Sequence, residues 1–296
     1  MKTGVIGLGN MGKGIAGNLS RAGILTRIWN RTEEKAREIA IDLNVEVSDS
    51  PEALVKDCDL IILSVSADQD VLDLIERILP SLRDGKVIVD TSTTSVSTAR
   101  TAAGLVNSTG ADFLDAPVSG GVEGARRATM VMMVGGEEMA LERVRSLLDI
   151  ISKDQFYMGA SGSGQATKAV NQIMAAGINQ AVSEALAFAD ALSLDMQSVI
   201  DVTSEGAAGN WLIQNRGSTL AQNKFEPGFK LALHHKDLKI CQDMALEMSL
   251  DKEVHLPLVE MTLIHYKKLM DAGMGEKDIS ALYTLKKNMF NTTKAD

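Results

Sequence analysis

The fold is decided by the stretch Val5-Ile6-Gly7-Leu8-Gly9-Asn10-Met11-Gly12, whose glycines form the pattern Gly-x-Gly-x-x-Gly. An apolar run, Thr3–Ile6, precedes it, an amphipathic segment, Met11–Ala22, follows it, and a second apolar run ends at Trp29. This order predicts a strand, a turn, a helix and a second parallel strand, the unit that holds a dinucleotide pyrophosphate at a helix N-terminus. The alternative is a glycine turn that binds nothing.

The choice between NAD and NADP depends on the end of the second predicted strand, which reads Trp29-Asn30-Arg31-Thr32. Proteins that bind NAD place a carboxylate here to hold the ribose hydroxyls, but this chain has none before Glu33. Arg31 can instead pair with a 2′-phosphate through two parallel hydrogen bonds, and Thr32 and Lys35 can add donors. We therefore predict NADP(H), with NAD(H) less favoured, and we predict that Asn30, Arg31, Thr32 and Lys35 contact the cofactor. The alternative is that Arg31 is a solvated surface arginine.

Further apolar runs alternate with helical patterns along the first half of the chain. The predicted strands are Leu25–Trp29, Leu60–Val65, Val87–Val89, Phe113–Leu114, Met130–Val134 and Gln155–Met158. The predicted helices between them are Thr32–Leu43, Pro51–Lys56, Asp70–Leu82 and Glu137–Ile151. Continuous apolar strands separated by helices predict an α/β fold, a Rossmann-type doubly wound, mostly parallel sheet.

The pattern changes at Gly159–Gly164, a run of small residues that predicts a turn or a domain boundary. Beyond it, apolar residues at spacings of three and four predict a long helix over Thr167–Leu192. Later helices are expected at Met196–Ser204, Ala232–Leu250, Pro257–Ala272 and Ile279–Phe290. We therefore predict an NADP-binding Rossmann domain over residues 1–161 and an all-α substrate and oligomerisation domain over residues 162–296, joined by the long interdomain helix.

Composition argues against several classes of protein. The 296 residues carry 30 basic and 39 acidic side chains, a formal net charge of −9, whereas nucleic-acid binding needs clustered Lys and Arg. No apolar run reaches the roughly 18 to 20 residues of a membrane span, and the N-terminus does not resemble a signal peptide. Two distant cysteines, Cys58 and Cys241, fit a reducing cytoplasm. The four histidines lack the spacing of a zinc site. We expect a cytoplasmic protein without nucleic-acid, membrane or metal partners.

A second group of candidate residues lies in Asp115-Ala116-Pro117-Val118-Ser119-Gly120-Gly121, directly after a predicted strand. Ligands bind at this edge of open α/β sheets. Ser119 offers a hydroxyl, and Gly120 and Gly121 expose successive N–H groups that suit a carboxylate. Upstream, Asp90-Thr91-Ser92-Thr93 ends another strand and offers hydroxyls toward the same edge. The alternative is two well-made turns.

Lys168 is the candidate general acid or base. It is predicted to lie in the first turn of the long helix, where the positive end of the helix dipole lowers a lysine pKa. Such a lysine suits proton transfer. Asn171 and Gln172 lie three and four residues further on, so all three share one helix face. The alternative is a solvated surface lysine.

The chain resembles the β-hydroxyacid dehydrogenases, of the 3-hydroxyisobutyrate dehydrogenase type, and among them most the NADPH-dependent glyoxylate/succinic semialdehyde reductases. The resemblance rests on four blocks: 5–12, 115–121, Gly162-x-Gly164-x-x-x-Lys168, and Phe229 through His235-Lys236-Asp237-Leu238. It implies that the first block binds the cofactor, the second binds the substrate carboxylate, and Lys168 is catalytic. It further implies substrate contacts for Phe229 and Asp237 and cofactor contacts for Lys236, Thr93 and the loop Ser64-Val65-Ser66.

One departure from the family concerns the amide after the lysine. The family usually has Asn four residues after it, where this chain has Gln172, with Asn171 one residue earlier. Which of the two orients the substrate is therefore open.

The implied activity is hydride transfer between NADP(H) and a small carboxylic semialdehyde or a 3- or 4-hydroxy acid. Candidate reactions are reduction of glyoxylate, succinic semialdehyde or tartronate semialdehyde, and oxidation of 3-hydroxyisobutyrate. The alternatives are a non-catalytic NADP-binding scaffold and an enzyme like the imine reductases. The resemblance also implies a homodimer or homotetramer.

Overall fold

The structure, a computed structural model, describes residues 1–248 and 254–290. It divides into two compact units, Met1–Lys168 and Ala169–Asp296.

The first unit is built on a nine-stranded sheet. Its strands are β1 (Thr3–Ile6), β2 (Leu25–Trp29), β3 (Glu46–Val47), β4 (Leu60–Leu63), β5 (Val87–Asp90), β6 (Asp112–Asp115), β7 (Val118–Ser119), β8 (Val131–Gly135) and β9 (Asp154–Gly159). The order is β3-β2-β1-β4-β5-β6-β8-β7, with β9 beside β8. Pairing is parallel from β3 to β6 and between β8 and β9, and β8 is antiparallel to β6 and β7. The prediction of a mostly parallel Rossmann-type sheet is confirmed.

Helices cover both faces of this sheet. They are α1 (Asn10–Arg21), α2 (Glu33–Leu43), α3 (Pro51–Asp57), α4 (Asp68–Ile78), α5 (Val96–Asn107), α6 (Gly121–Arg127) and α7 (Glu138–Leu148), with a 3-10 turn at Leu79–Ser81. Leu60 and Ile62 of β4 belong to one apolar cluster, whereas Ile61 and Leu63 belong to another. Successive residues of a strand point to opposite faces, so both faces of the sheet are packed. This explains why the strands read as continuous apolar runs.

The second unit is helical, as predicted. Its helices are α8 (Ser163–Ala191), which begins in the first unit, α9 (Met196–Glu205), α10 (Trp211–Ala221), α11 (Leu231–Met248), α12 (Pro257–Asp271) and α13 (Leu282–Phe290), with a 3-10 turn at Ile279–Ala281. Side chains such as Leu186, Leu238 and Tyr266 form its core. The predicted end of α11, Leu250, lies outside the described residues. None of the helices described combines the length and apolar character that crossing a membrane requires.

Several elements were not predicted, namely the short β3, β7 and α6 and the longer helices α5 and α10. In α5 the strong helix formers Ala, Arg and Leu alternate with Val, Ser, Thr and Gly, whose helix propensity is low, so the helical pattern is weak. The helix nevertheless begins because Ser95 accepts a hydrogen bond from the Thr98 N–H at 3.1 Å. The predicted helix Asp70–Leu82 instead runs over Asp68–Ile78, because Pro80 replaces the α-helix with a 3-10 turn.

Candidate active site

The glycine turn after β1 has the form that a dinucleotide requires. Gly7 has a φ of +93°, and a side chain at Gly12 would collide with the Gly7 carbonyl. Gly9 stands at the start of α1, where no side chain caps the helix, and a Cβ at Gly9 would have no neighbour within 4 Å. A ligand can therefore approach the backbone at Gly9 closely, and an uncapped helix N-terminus suits a phosphate.

Asn30 holds this turn in place. Its Oδ1 accepts a hydrogen bond from the Leu8 N–H at 2.9 Å, and its Nδ2 donates to the Thr32 carbonyl at 3.0 Å. The Gly7 N–H also donates to the Trp29 carbonyl at 3.0 Å. The structure thus brings the end of β2 against the glycine turn, and it gives Asn30 a structural contact beside its predicted cofactor contact.

Arg31 lies at the exposed edge of the same region. Its side chain is 83% exposed, and its Nη1 donates to Asp70 Oδ1 at 2.8 Å. Thr32 and Lys35 are exposed nearby in sequence, before and within α2. Asp70, in the first turn of α4, was missed by the sequence analysis because it follows a different strand.

The loops after β4 and β5 are joined to each other and to β1. The Ser64 N–H donates to the Ile6 carbonyl at 2.9 Å, and the Val65 N–H donates to Ser92 Oγ at 2.9 Å. A side chain at Gly7 would collide with the Ser64 carbonyl. The predicted cofactor loop Ser64-Val65-Ser66 is therefore brought against the glycine turn.

Gln165, a buried residue of α8, fixes the loop that carries Thr93. Its Nε2 donates to the Ser92 carbonyl at 2.8 Å, and its Oε1 accepts from the Thr94 N–H at 3.1 Å. Both neighbours of Thr93 are thus held by one amide. Nothing in the local sequence marks Gln165 for this role, because its partners lie 71 and 73 residues away.

Asp115 determines where α8 begins. It is 0% exposed, and its two carboxylate oxygens accept the N–H groups of Gly162 at 2.7 Å and Gln165 at 3.0 Å. Burial raises the pKa of this carboxyl, and the hydrogen bonds from Gly162 and Gln165 oppose that rise. Because the carboxylate caps the helix early, α8 starts at Ser163. The prediction that Lys168 lies in the first turn is wrong, since Lys168 is the sixth residue of the helix.

Lys168 is nevertheless held in a defined position. The residue is 7% exposed, and its Nζ donates to the Val118 carbonyl at 2.8 Å. The alternative of a solvated surface lysine is therefore wrong.

The predicted carboxylate turn follows Val118 directly in the chain. Ser119 is half-buried and pairs with Val131 in the sheet, and Gly120 and Gly121 have φ values of +143° and +64°. The structure thus brings the ammonium of Lys168 to the edge of the Ser119–Gly121 turn.

In the second unit, the structure brings four of the predicted residues together. Gln172 Nε2 donates to Asp237 Oδ2 at 2.7 Å, and Asn171 Nδ2 donates to Gln172 Oε1 at 2.9 Å. Lys236 Nζ lies 3.2 Å from Asp237 Oδ1. Gln172 is 2% exposed, whereas Asn171 is half-buried. The Gln172 amide therefore has partners at both ends.

Phe229, just before α11, is placed by a buried carboxylate. Asp278 Oδ2 accepts the N–H groups of Gly228 at 2.9 Å and Phe229 at 3.0 Å, and the Phe229 ring packs on His234 with centroids 5.2 Å apart. The resemblance had assigned Phe229 a role without indicating Asp278.

A buried polar chain behind Gln172 was also missed. His234 Nε2 lies 3.2 Å from the Gln172 carbonyl, which can only accept, so this nitrogen carries the proton. The Tyr266 hydroxyl is then the donor to His234 Nδ1 at 3.0 Å, and it accepts from Asn179 Nδ2 at 3.0 Å. Burial raises the pKa of the Tyr266 hydroxyl. These contacts fix the backbone of α8 at Gln172.

Over residues 1–248 and 254–290, no group of three or more His, Cys, Asp or Glu residues could hold a metal ion.

Comparison with known families gives this arrangement its context. A model for the NAD binding domain of 6-phosphogluconate dehydrogenase matches residues 2–159, and a model described as NAD-binding of NADP-dependent 3-hydroxyisobutyrate dehydrogenase matches residues 162–286. The chain belongs to the β-hydroxyacid dehydrogenase family. This β-hydroxyacid dehydrogenase is an NAD(P)-dependent oxidoreductase, as the sequence predicted.

Individual relatives of this β-hydroxyacid dehydrogenase carry several names. It is 35% identical to the 2-hydroxy-3-oxopropionate reductase of Escherichia coli, over 85% of this chain and 86% of that protein. It is 29% identical to glyoxylate/succinic semialdehyde reductase 1 of Arabidopsis thaliana, over 95% and 97%. Among solved structures, Mycobacterium tuberculosis 3-hydroxyisobutyrate dehydrogenase with L-serine gives a TM-score of 0.87 at 33% identity, covering 96% of this chain and 98% of that one. These identities do not single out the semialdehyde reductases.

Proposed function

We propose that this protein is an NADPH-dependent reductase of short carboxylic semialdehydes, which also oxidises the matching 3- or 4-hydroxy acids. The observation that carries the proposal is the buried Lys168, whose Nζ donates to Val118 O at 2.8 Å beside the Ser119–Gly121 turn. A positioned ammonium next to N–H groups that suit a carboxylate is what reduction of a carbonyl acid requires. The names of the relatives support the substrate class.

The cofactor would be held mainly by backbone. The residues are the glycine turn over 7–12, the loop Ser64–Ser66, Thr93 and Lys236. The open helix start at Gly9 supports binding of the pyrophosphate there. When bound, NADPH supplies the hydride.

Preference for NADP over NAD would come from Arg31, Thr32 and Lys35. Arg31 is exposed and carries one carboxylate partner, Asp70, on Nη1. A 2′-phosphate offers three acceptor oxygens and more negative charge than a carboxylate, so it can share or displace that partner. No carboxylate follows β2 before Glu33 to bind the ribose hydroxyls of NAD.

Proton transfer is assigned to Lys168. In reduction, its ammonium stabilises the negative charge that develops on the carbonyl oxygen and donates a proton from Nζ. In oxidation, the neutral amine accepts the hydroxyl proton. Ser119, Gly120 and Gly121 hold the substrate carboxylate.

Three residues of the second unit complete the assignment. Asn171 orients the reacting oxygen, because it is half-buried whereas Gln172 is already engaged by Asn171 and Asp237. Substrate contacts are assigned to Phe229 and Asp237 because the family resemblance implies them. We propose the domain assignment predicted from the sequence, an NADP-binding domain over residues 1–161, which also contributes the Ser119–Gly121 turn, and a substrate and oligomerisation domain over residues 162–296.

The test is oxidation of NADPH, with NADH in parallel, against glyoxylate, succinic, tartronate and methylmalonate semialdehydes. The reverse reaction uses 3-hydroxyisobutyrate and L-serine with NADP⁺. We expect turnover of at least one semialdehyde and a higher kcat/KM with NADPH. Tight NADPH binding without turnover of any member of the panel would contradict the proposal and favour a non-catalytic scaffold. Turnover of cyclic imines alone would favour an imine reductase.

A further inference from the structure

Asp115 has a place in the fold that the proposed chemistry leaves unused. It is the last residue of β6, is 0% exposed, and accepts N–H groups from Gly162 and Gln165 with separate oxygens. Asp115 belongs to the same motif as Ser119–Gly121, but the sequence alone gives it no role. A fully buried carboxylate with two backbone donors is a specific and demanding arrangement.

Two glycines, Gly135 and Gly164, leave room for the Asp115 carboxylate. A Cβ at Gly135 would lie 2.6 Å from Asp115 Oδ1 and 2.9 Å from the Gly164 nitrogen. A Cβ at Gly164 would lie 2.9 Å from Asp115 Oδ2 and would collide with the carbonyls of Met133 and Asp115. Side chains are thus missing on both sides of the carboxylate. The first turn of α8 therefore rests directly on the ends of β6 and β8.

The same short segment also receives the catalytic candidate. Val118 follows Asp115 by three residues, and its carbonyl accepts the Lys168 ammonium at 2.8 Å. Lys168 follows Gln165 by three residues, about one helical turn. The segment 115–118 therefore holds the start of α8 through Asp115 and the end of the Lys168 side chain through Val118. A shift of the helix start would move Lys168 Nζ relative to the Ser119–Gly121 turn.

We infer that Asp115 is a positioning residue, whose carboxylate fixes the start of α8 so that the Lys168 ammonium lies at the substrate-carboxylate turn. The inference rests on the proposed function, because it needs Lys168 as the proton donor. It extends the family motif by separating two tasks within one segment. Asp115 places the acid, and Ser119 to Gly121 bind the substrate.

The decisive variant is Asp115→Asn, which has the same shape but one acceptor oxygen. One of the two N–H groups then faces an NH₂ group, so the helix start shifts. A misplacement of about 1 Å can lower a rate about 100-fold, and we expect kcat to fall about 10- to 100-fold. The dissociation constant of NADPH should change less than about twofold, and the basic limb of the kcat–pH profile should move. A merely structural role would lower the active fraction and leave that limb in place.

Asp195→Asn is the matched control. Asp195 also caps a helix, α9, by accepting the Ser198 N–H at 2.8 Å, but it is exposed and belongs to no proposed site. Its kcat should equal that of the wild type. If Asp115→Asn does not fold, Asp115→Ser is used, because serine is smaller and still caps a helix. Folded protein with wild-type kcat from either Asp115 variant overturns the inference.

Lys168→Ala separates the two proposals in the same assay. If Lys168→Ala retains kcat, the proposed function fails, and with it the need to position the lysine. If Lys168→Ala loses kcat but folded Asp115→Asn keeps it, only the inference about Asp115 fails.

Discussion

The two cations that the sequence singled out, Lys168 and Arg31, are held in opposite ways within the first unit. Lys168 is 7% exposed and donates to a main-chain carbonyl, whereas the Arg31 side chain is 83% exposed and donates to a carboxylate at the surface. The partner of Lys168 is the Val118 carbonyl, three residues after Asp115. The partner of Arg31 is Asp70, a half-buried side chain in the first turn of α4.

This difference separates two tasks. A buried cation has few positions available, and its electrostatic effect is strong because water is excluded. An exposed ion pair contributes only about 0.2 to 1 kcal/mol and is screened by salt. Lys168 is therefore suited to the chemical step, which needs fixed geometry. Arg31 is suited to selecting a cofactor, which needs a partner that can be exchanged.

The largest effect is expected for Lys168→Ala. Removing a general acid lowers a rate by about 10² to 10⁴, so kcat should fall by that range while the dissociation constant of NADPH stays within about twofold. Lys168→Arg is the matched variant, because arginine keeps the charge but does not release its proton near neutral pH. It should lose the oxidative reaction as fully as Lys168→Ala. Steady-state kinetics in both directions measure this, and a wild-type kcat in Lys168→Ala would refute the role assigned to the lysine.

The next effect is expected for Arg31→Ala. Hydrogen bonds to a charged group contribute about 1.5 to 3 kcal/mol, reduced here by solvent, so the KM for NADPH should rise about tenfold. The KM for NADH should change less than about twofold. Arg37→Ala is the control, since the Arg37 side chain is also largely exposed, at 71%, and pairs with Glu33 on α2.

The dependence of the KM for NADPH on salt concentration gives a second test of the role of Arg31. Because the guanidinium is exposed, the difference between wild type and Arg31→Ala should shrink at about 1 M salt, where the screening length is about 3 Å. Equal effects of Arg31→Ala on NADPH and NADH would contradict a contact with the 2′-phosphate.

A smaller effect is expected on the pH dependence of the free energy of unfolding, through the buried carboxyl of Asp115. Because the pKa of Asp115 is raised in the fold, its stabilising contribution is complete below the unfolded value of about 3.9. That contribution is lost as pH rises through the folded pKa. Asparagine does not titrate, so the stability of wild type relative to Asp115→Asn should decrease from about pH 4 upward. Urea unfolding at several pH values measures the difference. A relative stability that increases with pH would mean that the fold favours the ionised carboxylate.

The smallest effect is expected for Asp70→Asn. This change removes the carboxylate that shares the Arg31 guanidinium with the 2′-phosphate. From the energy of an exposed pair, the KM for NADPH should fall about two- to fivefold. In the Arg31→Ala background the same change should have no further effect, which a double-mutant cycle detects. An increase in KM would show that Asp70 orients Arg31 for binding.

The sequence predicted the glycine turn and most strands of the first unit well, because the patterns that indicate them are local in the sequence. The turn is formed by glycines 7, 9 and 12, which directly follow the first strand in the sequence. The close backbone contacts that require glycine at 7 and 12 are therefore indicated by a short local motif. The apolar strands were equally clear, because both faces of the sheet are packed.

The contacts that position side chains could not be predicted in the same way. Asp115 meets Gly162 across 47 residues, and Arg31 meets Asp70 across 39. The start of α8 was misplaced because the cap comes from a distant strand rather than from the preceding residue. The prediction of Lys168 as the reactive lysine therefore rested on the motif, while the reason for its position emerged only from the fold.

One stopped-flow experiment tests the separation of tasks most directly. Enzyme in excess is mixed with the best substrate of the panel at increasing NADPH, and a single turnover is followed at the absorbance of the reduced nicotinamide. We predict that Lys168→Ala lowers the hydride-transfer rate at saturating NADPH and leaves the half-saturating concentration unchanged. Arg31→Ala should raise that concentration and leave the saturated rate unchanged. A lower saturated rate in Arg31→Ala, or an unchanged one in Lys168→Ala, would contradict the account.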